Sequence, residues 1–463
     1  MAIIMKHSGN KVEDLKIAYI GGGSRGWAWG LMSDLAGKDV ISGNVYLYDT
    51  DFQAAYDNEI VGNKAGENFK YKAVKTISEA LTGADFVIIS ILPGTFDEME
   101  SDVHAPEKYG IYQSVGDSTG PGGLIRALRT IPMYVEIAEA IKEFCPKAWV
   151  INYTNPMALC VATLYRVFPE IKAFGCCHEV FGTQKILCCM LDEMGMTENL
   201  DRHELRTTPV GLNHFTWITS AQYKNIDLFP LYSEFAKKHK EDGITQGDKN
   251  WMNSFFGTSE IVKFDLFNKF GYIAAAGDRH LAEFCPGNWY LENPDVAHKW
   301  KFNLTPVSWR REELLKRKEK SRKLVSGEMD FEHKPTGEEG VNQICALLGL
   351  SELVTNVNVP NVGQLSNVPL GTIVETNAVF SGDKLAPVNS GEVPENIYSI
   401  MAPAVANQNN ILNGFFNKDI NLLFNAFATD RLTDRLSLSD AKDLFNTMLD
   451  NTRKYLPDWI KNI

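Results

Sequence analysis

Over roughly the first 190 residues, short apolar runs alternate with segments of helical period. The runs at 16–20, 45–48, 86–91, 148–152 and 172–175 read as buried strands. Between them, 27–35, 53–63, 97–108, 123–144 and 156–165 carry apolar residues at helical spacing. Strictly alternating strands and helices predict a parallel sheet covered by helices on both faces, a Rossmann-like doubly wound α/β unit. Beyond about residue 200 the pattern changes. Strands are expected at 205–210 and 216–223, and helices at 229–240, 310–326, 340–350 and 400–426. The stretch 353–388, rich in Val, Asn, Pro and Gly, suggests strands joined by tight turns. The expected organisation is therefore residues 1–200 as a dinucleotide-binding unit and 201–463 as a mixed α/β unit for substrate, metal and oligomerisation. No linker is visible between them. The charged run 312–323 reads as a solvated helix face.

Composition narrows the partners. Of 463 residues 44% are hydrophobic and 22% charged, ordinary for a soluble domain. A net charge of −12 argues against nucleic acid, which is bound through basic patches. No apolar run is long enough to cross a bilayer, and the first 16 residues lack the apolar stretch of a signal segment. Eight cysteines, with 176–177 and 188–189 adjacent, fit reduced thiols better than a disulfide framework. A cytoplasmic location is expected.

The strand at 16–20 runs into Gly21-Gly22-Gly23-Ser24-Arg25-Gly26. Gly21, Gly23 and Gly26 fit the G-x-G-x-x-G spacing, which lets backbone N–H groups approach a pyrophosphate at a helix N-terminus. Asp49, ending the second strand, stands where an acid binds ribose hydroxyls and favours NAD over NADP. Ser24 belongs to the same turn. Ser90 and Asn155 each follow a strand, at the sheet edge where such folds place ligands. Asn155 before Pro156 also reads as a helix cap with proline at the first helical position.

Cys177 follows the 172–175 strand, and His214 follows another apolar strand. A thiolate and an imidazole would leave a divalent ion with open positions, as a catalytic site needs, although a buried cysteine beside a satisfied histidine is the commoner arrangement. Asp278-Arg279-His280 sets acid, cation and base side by side, either as a surface turn or as a catalytic group with an anion-gripping arginine. Asp117, in the glycine-rich loop 116–123, reads either as an N-cap-like residue or as a site carboxylate.

Together these residues resemble glycoside hydrolase family 4, the NAD- and metal-dependent glycosidases, over nearly the whole chain. Cys177-His178-Glu179-Val180 is similar to the motif of its α-galacturonidase branch. The resemblance implies hydride transfer from sugar C3 to NAD+, loss of the acidified C2 proton, elimination at C1, water addition and return of the hydride. It departs from the two-carboxylate route of most glycosidases. It implies Mn2+ held by Cys177 and His214, and Asp278 as C2 base, tuned by Asp117. His178 is a candidate leaving-group acid, standing where some branches carry Asp. Asn155, Arg279 and His280 would contact substrate, with Arg279 or His280 facing a uronate carboxylate. A homodimer or homotetramer is implied as well. The competing readings are an NAD-dependent dehydrogenase of a hydroxy acid or sugar acid, and a non-catalytic NAD-binding redox sensor using Cys176-Cys177.

Overall fold

A computed structural model of the protein describes residues 5–245 and 251–461. Residues 1–4, which open the N-terminal stretch read for a signal segment, lie outside the described residues. Six parallel strands run side by side in a ten-stranded sheet, to one edge of it. Their spatial order is Phe69–Val74, Ile41–Tyr48, Lys11–Ile20, Phe86–Ile89, Trp149–Asn152 and Lys172–Gly175. Numbered along the chain this is 3-2-1-4-5-6, the order of doubly wound dinucleotide-binding sheets, with its crevice where the order reverses beside Lys11–Ile20. The apolar runs arise because both faces are covered. Ile17, Tyr19, Ile88 and Ile151 pack into one core cluster, while Ala18, Ile20, Val87 and Val150 pack into another.

The stretch 353–388 forms the strands Leu353–Pro360, Ile373–Phe380 and Leu385–Pro387. They extend the same sheet antiparallel, joining at Asn358 opposite Gly175. A separate small sheet is built on the hairpin Leu205–Leu212/Phe215–Tyr223. The largest core cluster lies among this hairpin, the helix Gly120–Phe144 and the C-terminal helices.

Several elements differ from the sequence pattern. The strand Phe69–Val74 has no apolar run because it lies at the sheet edge, where lysines alternate outward. The helix expected at 400–426 is two, Glu395–Phe416 and Ile420–Ala428. The break falls at Lys418, with φ +57°, and Asp419 then caps the second helix by accepting from the Asn421 and Leu422 amides. The helix after Asn155 starts at Met157, so Pro156 flanks it rather than opening it. The run 312–323 is largely solvent-facing, on the helix Val307–Ser326. No helix among the described residues is long and apolar enough to cross a membrane.

Candidate active site

The glycine turn lies where the first strand meets the helix Trp27–Ala36. Gly21 has φ +89°, and a Cβ there would stand 2.0 Å from the Ser90 carbonyl oxygen. Gly21 and Gly22 both donate to the Tyr48 carbonyl. Gly26 flanks the helix without a side-chain cap, so no side chain claims the first N–H groups of that helix, the arrangement that receives a phosphate. Asp49 accepts from the Gly23 amide at 2.9 Å and from the Asp51 amide at 2.9 Å, which fixes its carboxylate against the turn. Ser24 donates its amide to the Gly21 carbonyl within the turn. Gly21→Ala is expected to cost about 3 kcal/mol through forbidden φ and backbone overlap. Thermal unfolding and NAD+ titration of the variant check this, and near-native values in both would refute it.

Across the sheet edge, Asp117, His214 and His280 each place one donor atom so that all three lie within 4.8 Å of one another. They come from three distant elements: the loop before the helix Gly120–Phe144, the hairpin tip and the helix Asp278–Phe284. His214 has φ +65°, imposed by the two-residue connection between Leu212 and Phe215. The His214 and His280 rings stack with centroids 3.8 Å apart. Ser118 joins the group, donating to Asp117 Oδ1 at 2.7 Å with its hydroxyl 2.9 Å from His214 Nδ1. Asn155 Nδ2 donates to Asp117 Oδ2 at 3.2 Å. The Asn155 carbonyl accepts from Arg126 Nε at 3.0 Å, and its Oδ1 is buried without a partner. Its side chain is therefore directed to the cluster rather than to a helix cap.

Burial, then the His280 charge, pushes His214 down to about 3, leaving the neutral imidazole that a metal binds. Burial alone would raise the Asp117 carboxyl; His214, His280 and Arg126 reverse this and hold it well below the usual carboxylate range. With His214 neutral, the cations acting on it are His280 and Arg126. Burial would lower His280, but Glu179 at 3.3 Å from its Nδ1 raises it. Glu179 also accepts from the Gly277 amide, tying the 277–280 segment to the sequence after Cys177. The carboxylate that organises the site is thus the one the sequence marked only as a motif position.

Cys177 is buried beside the cluster without being one of its three donors. Burial raises its thiol far above the ordinary range; Glu375 and Glu179 add to this, and the Asn213 side chain approaches it. Both amide atoms of Asn213 are buried without hydrogen bonds. His178 is not one of the group of three: its Nδ1 lies 2.9 Å from Glu338, which raises it to about 9, and its Nε2 lies 3.9 Å from Glu179. Its side chain is 55% exposed and its ring lies 6.4 Å from that of Trp27. The structure does not bring the Asp278 carboxylate to the cluster. It is fully buried, and its two oxygens accept from the Val262 and Lys263 amides at 3.1 Å each, capping the helix Ile261–Phe270. Burial and Glu260 push its pKa up. Arg279 is likewise engaged, with Nη2 donating to the Ser114 carbonyl and to Thr305. Glu283, unremarked in the sequence, accepts from the Val115 and Gly116 amides and so shapes the loop that presents Asp117.

A Rossmann sheet with an imidazole–carboxylate donor group at its carboxyl edge defines a dinucleotide-associated enzyme of the metal-assisted kind. The chain belongs to the family 4 glycosyl hydrolases, matching that family over residues 16–193 and its C-terminal domain over 209–433. An alpha-galacturonidase of Thermoanaerobacterium saccharolyticum is 60% identical, covering 98% of this chain and 99% of its own. An alpha-galacturonidase of Bacillus subtilis is 51% identical over 95% of this chain and 97% of its own. Among solved structures, the lplD protein of Bacillus subtilis superposes with a TM-score of 0.91 at 51% identity, covering 94% of this chain and all of its own. A 6-phospho-alpha-glucosidase from gut microorganisms, solved with NAD and Mn2+, shares the fold at 18% identity with a TM-score of 0.80. It covers 96% of this chain and 99% of its own.

Proposed function

We propose that the protein hydrolyses α-galacturonides by transient oxidation of the sugar, with NAD+ and a divalent ion, Mn2+, as cofactors. The observation that carries this reading is the junction of two half-sites. The glycine turn and free helix N-terminus suit a pyrophosphate, and the His214 group lies at the same sheet edge. The residues fit both cofactors. His214, His280 and the Cys177 thiol, once deprotonated, would hold the ion, and the unpartnered Asn155 Oδ1 and the Asn213 amide offer polar contacts around it. Bound NAD+ supplies reversible hydride removal at C3. The ion supplies stabilisation of negative charge on the C2 and C3 oxygens.

The chain's own side chains divide the remaining work. Asp117, ionised and facing the group, would take the C2 proton, the role that the family resemblance implied for Asp278. Asn155 holds Asp117 through its Nδ2, and its unpartnered Oδ1 would be free to bind a substrate hydroxyl. His178, kept as an imidazolium by Glu338, would be the acid that protonates the departing oxygen. Such an enzyme is expected to be cytoplasmic and to assemble as a homodimer or homotetramer.

The test is a panel of 4-nitrophenyl glycosides and uronides assayed with NAD+, Mn2+ and a reductant. Cleavage of the α-galacturonide without stoichiometric NADH is the expected result. NADH accumulating one-for-one with product would make the protein a dehydrogenase and sink the proposal.

A further inference from the structure

Arg310 is a cation near the site that donates to no group of the described residues. Arg310 stands in the first turn of the helix Val307–Ser326, just ahead of the solvated charged run. Among the described residues its guanidinium makes no hydrogen bond and no ion pair within 4.0 Å, and its Nε is buried without a partner. The other arginines near the cluster each hold at least one group of the chain itself, although Arg279 Nε is also buried without a partner. Arg126 donates to the Asn155 carbonyl, Arg129 is paired with Asp102, and Arg279 holds Ser114 and Thr305. Arg310 is kept in place by packing: its guanidinium lies 5.6 Å from the Phe256 ring centroid, and that of Arg279 lies 5.1 Å from the same centroid. The acids whose charge reaches it are Asp117 and Glu283. Both carry other partners: Asp117 holds Ser118 and Asn155, and Glu283 holds the Val115 and Gly116 amides.

A half-buried guanidinium without an anionic partner, packed on the same Phe256 ring as Arg279, is suited to receive an anion. We infer that Arg310 is the specificity residue of this enzyme, binding the C6 carboxylate of the uronic acid through its planar fork. This rests on the galacturonide reading proposed above. The sugar's C2 and C3 oxygens face the donor group, and its C6 carboxylate lies across the pyranose ring from them. The inference also explains why Arg279 and His280 need not do the job. The inner edge of Arg279 is spent on Ser114 and Thr305, while His280 is held by Glu179 and stacked on His214. A planar bidentate donor discriminates a carboxylate from the neutral hydroxymethyl of a galactoside by charge and geometry together.

The experiment uses the full chain loaded with NAD+ and Mn2+, comparing the parent with Arg310→Gln and Arg310→Lys. Calorimetric titrations with D-galacturonate and with D-galactose are run beside 4-nitrophenyl α-galacturonide kinetics. Arg310→Gln is expected to weaken D-galacturonate binding about 100-fold and to raise KM more than it lowers kcat. D-galactose and NAD+ binding should stay as in the parent, and Arg310→Lys should fall between, since it keeps the charge and loses the fork. Unchanged D-galacturonate affinity in Arg310→Gln would overturn the inference, as would an equal loss for D-galactose, which marks a structural residue. A parent enzyme that cleaves no galacturonide tells against the function itself. A parent that cleaves it while Arg310→Gln does so equally well tells against Arg310 alone.

Discussion

His214→Ala is expected to lose about three orders of magnitude in galacturonide turnover while retaining NAD+ affinity. Lewis-acid stabilisation of developing charge contributes several kcal/mol, and each 1.36 kcal/mol is tenfold in rate, so about 4 kcal/mol corresponds to that loss. His214 is singled out because the structure prepares it more thoroughly than any other donor. It is 3% exposed, held neutral by burial, fixed by the Ser118 hydroxyl and stacked on His280. None of those contacts touches the glycine turn, which is why cofactor affinity should survive. Cys177→Ser should lose activity in the same way through a weaker ion site, since a hydroxyl does not replace a thiolate as a soft donor. Metal content by mass spectrometry and NAD+ titration of the same samples decide the matter. Full activity in His214→Ala, or normal metal content with activity lost, would refute the ligand assignment.

The parallel sheet and its glycine turn were legible in the sequence for a definite reason. Parallel strands buried on both faces carry continuous apolar runs, and a glycine turn has fixed spacing from the strand that precedes it. Gly21, Ser90 and Asn155 accordingly fall together at the sheet edge. The Asp117, His214 and His280 group is assembled across long separations, and there local reading falls short. Glu179 reaches Gly277 and His280 from about a hundred residues away, and no period or spacing encodes that contact. Arg310 carried no signal because it precedes a run of charges that does face solvent. Asp278, Arg279 and His280 read as one group because they are adjacent. They begin a helix, however, and positions i and i+2 are turned about 200° apart around its axis. One turn thus sends His280 to the ring of His214 and Asp278 to the amides of another helix.

That divergence leads to a paired expectation for the two aspartates. Asp117→Asn should lower kcat about 10²–10⁴-fold, the usual worth of a positioned general base, with the unfolding temperature close to the parent value. The fold should hold because the amide can still engage Ser118, Asn155 and the imidazoles that surround the carboxylate. Asp278→Asn should do the reverse. Its two oxygens satisfy two otherwise unpaired N–H groups at a buried helix start, and an amide can present only one acceptor there. The loss is about 1–3 kcal/mol of stability with much of the turnover preserved at low temperature. Solvent deuterium separates chemistry from folding. In D2O the parent and Asp278→Asn should place deuterium at C2 of the released sugar, and Asp117→Asn should not. Were a folded Asp278→Asn to lose that exchange while Asp117→Asn kept it, the base would be Asp278 after all, and the helix cap would have to open during turnover to release its carboxylate.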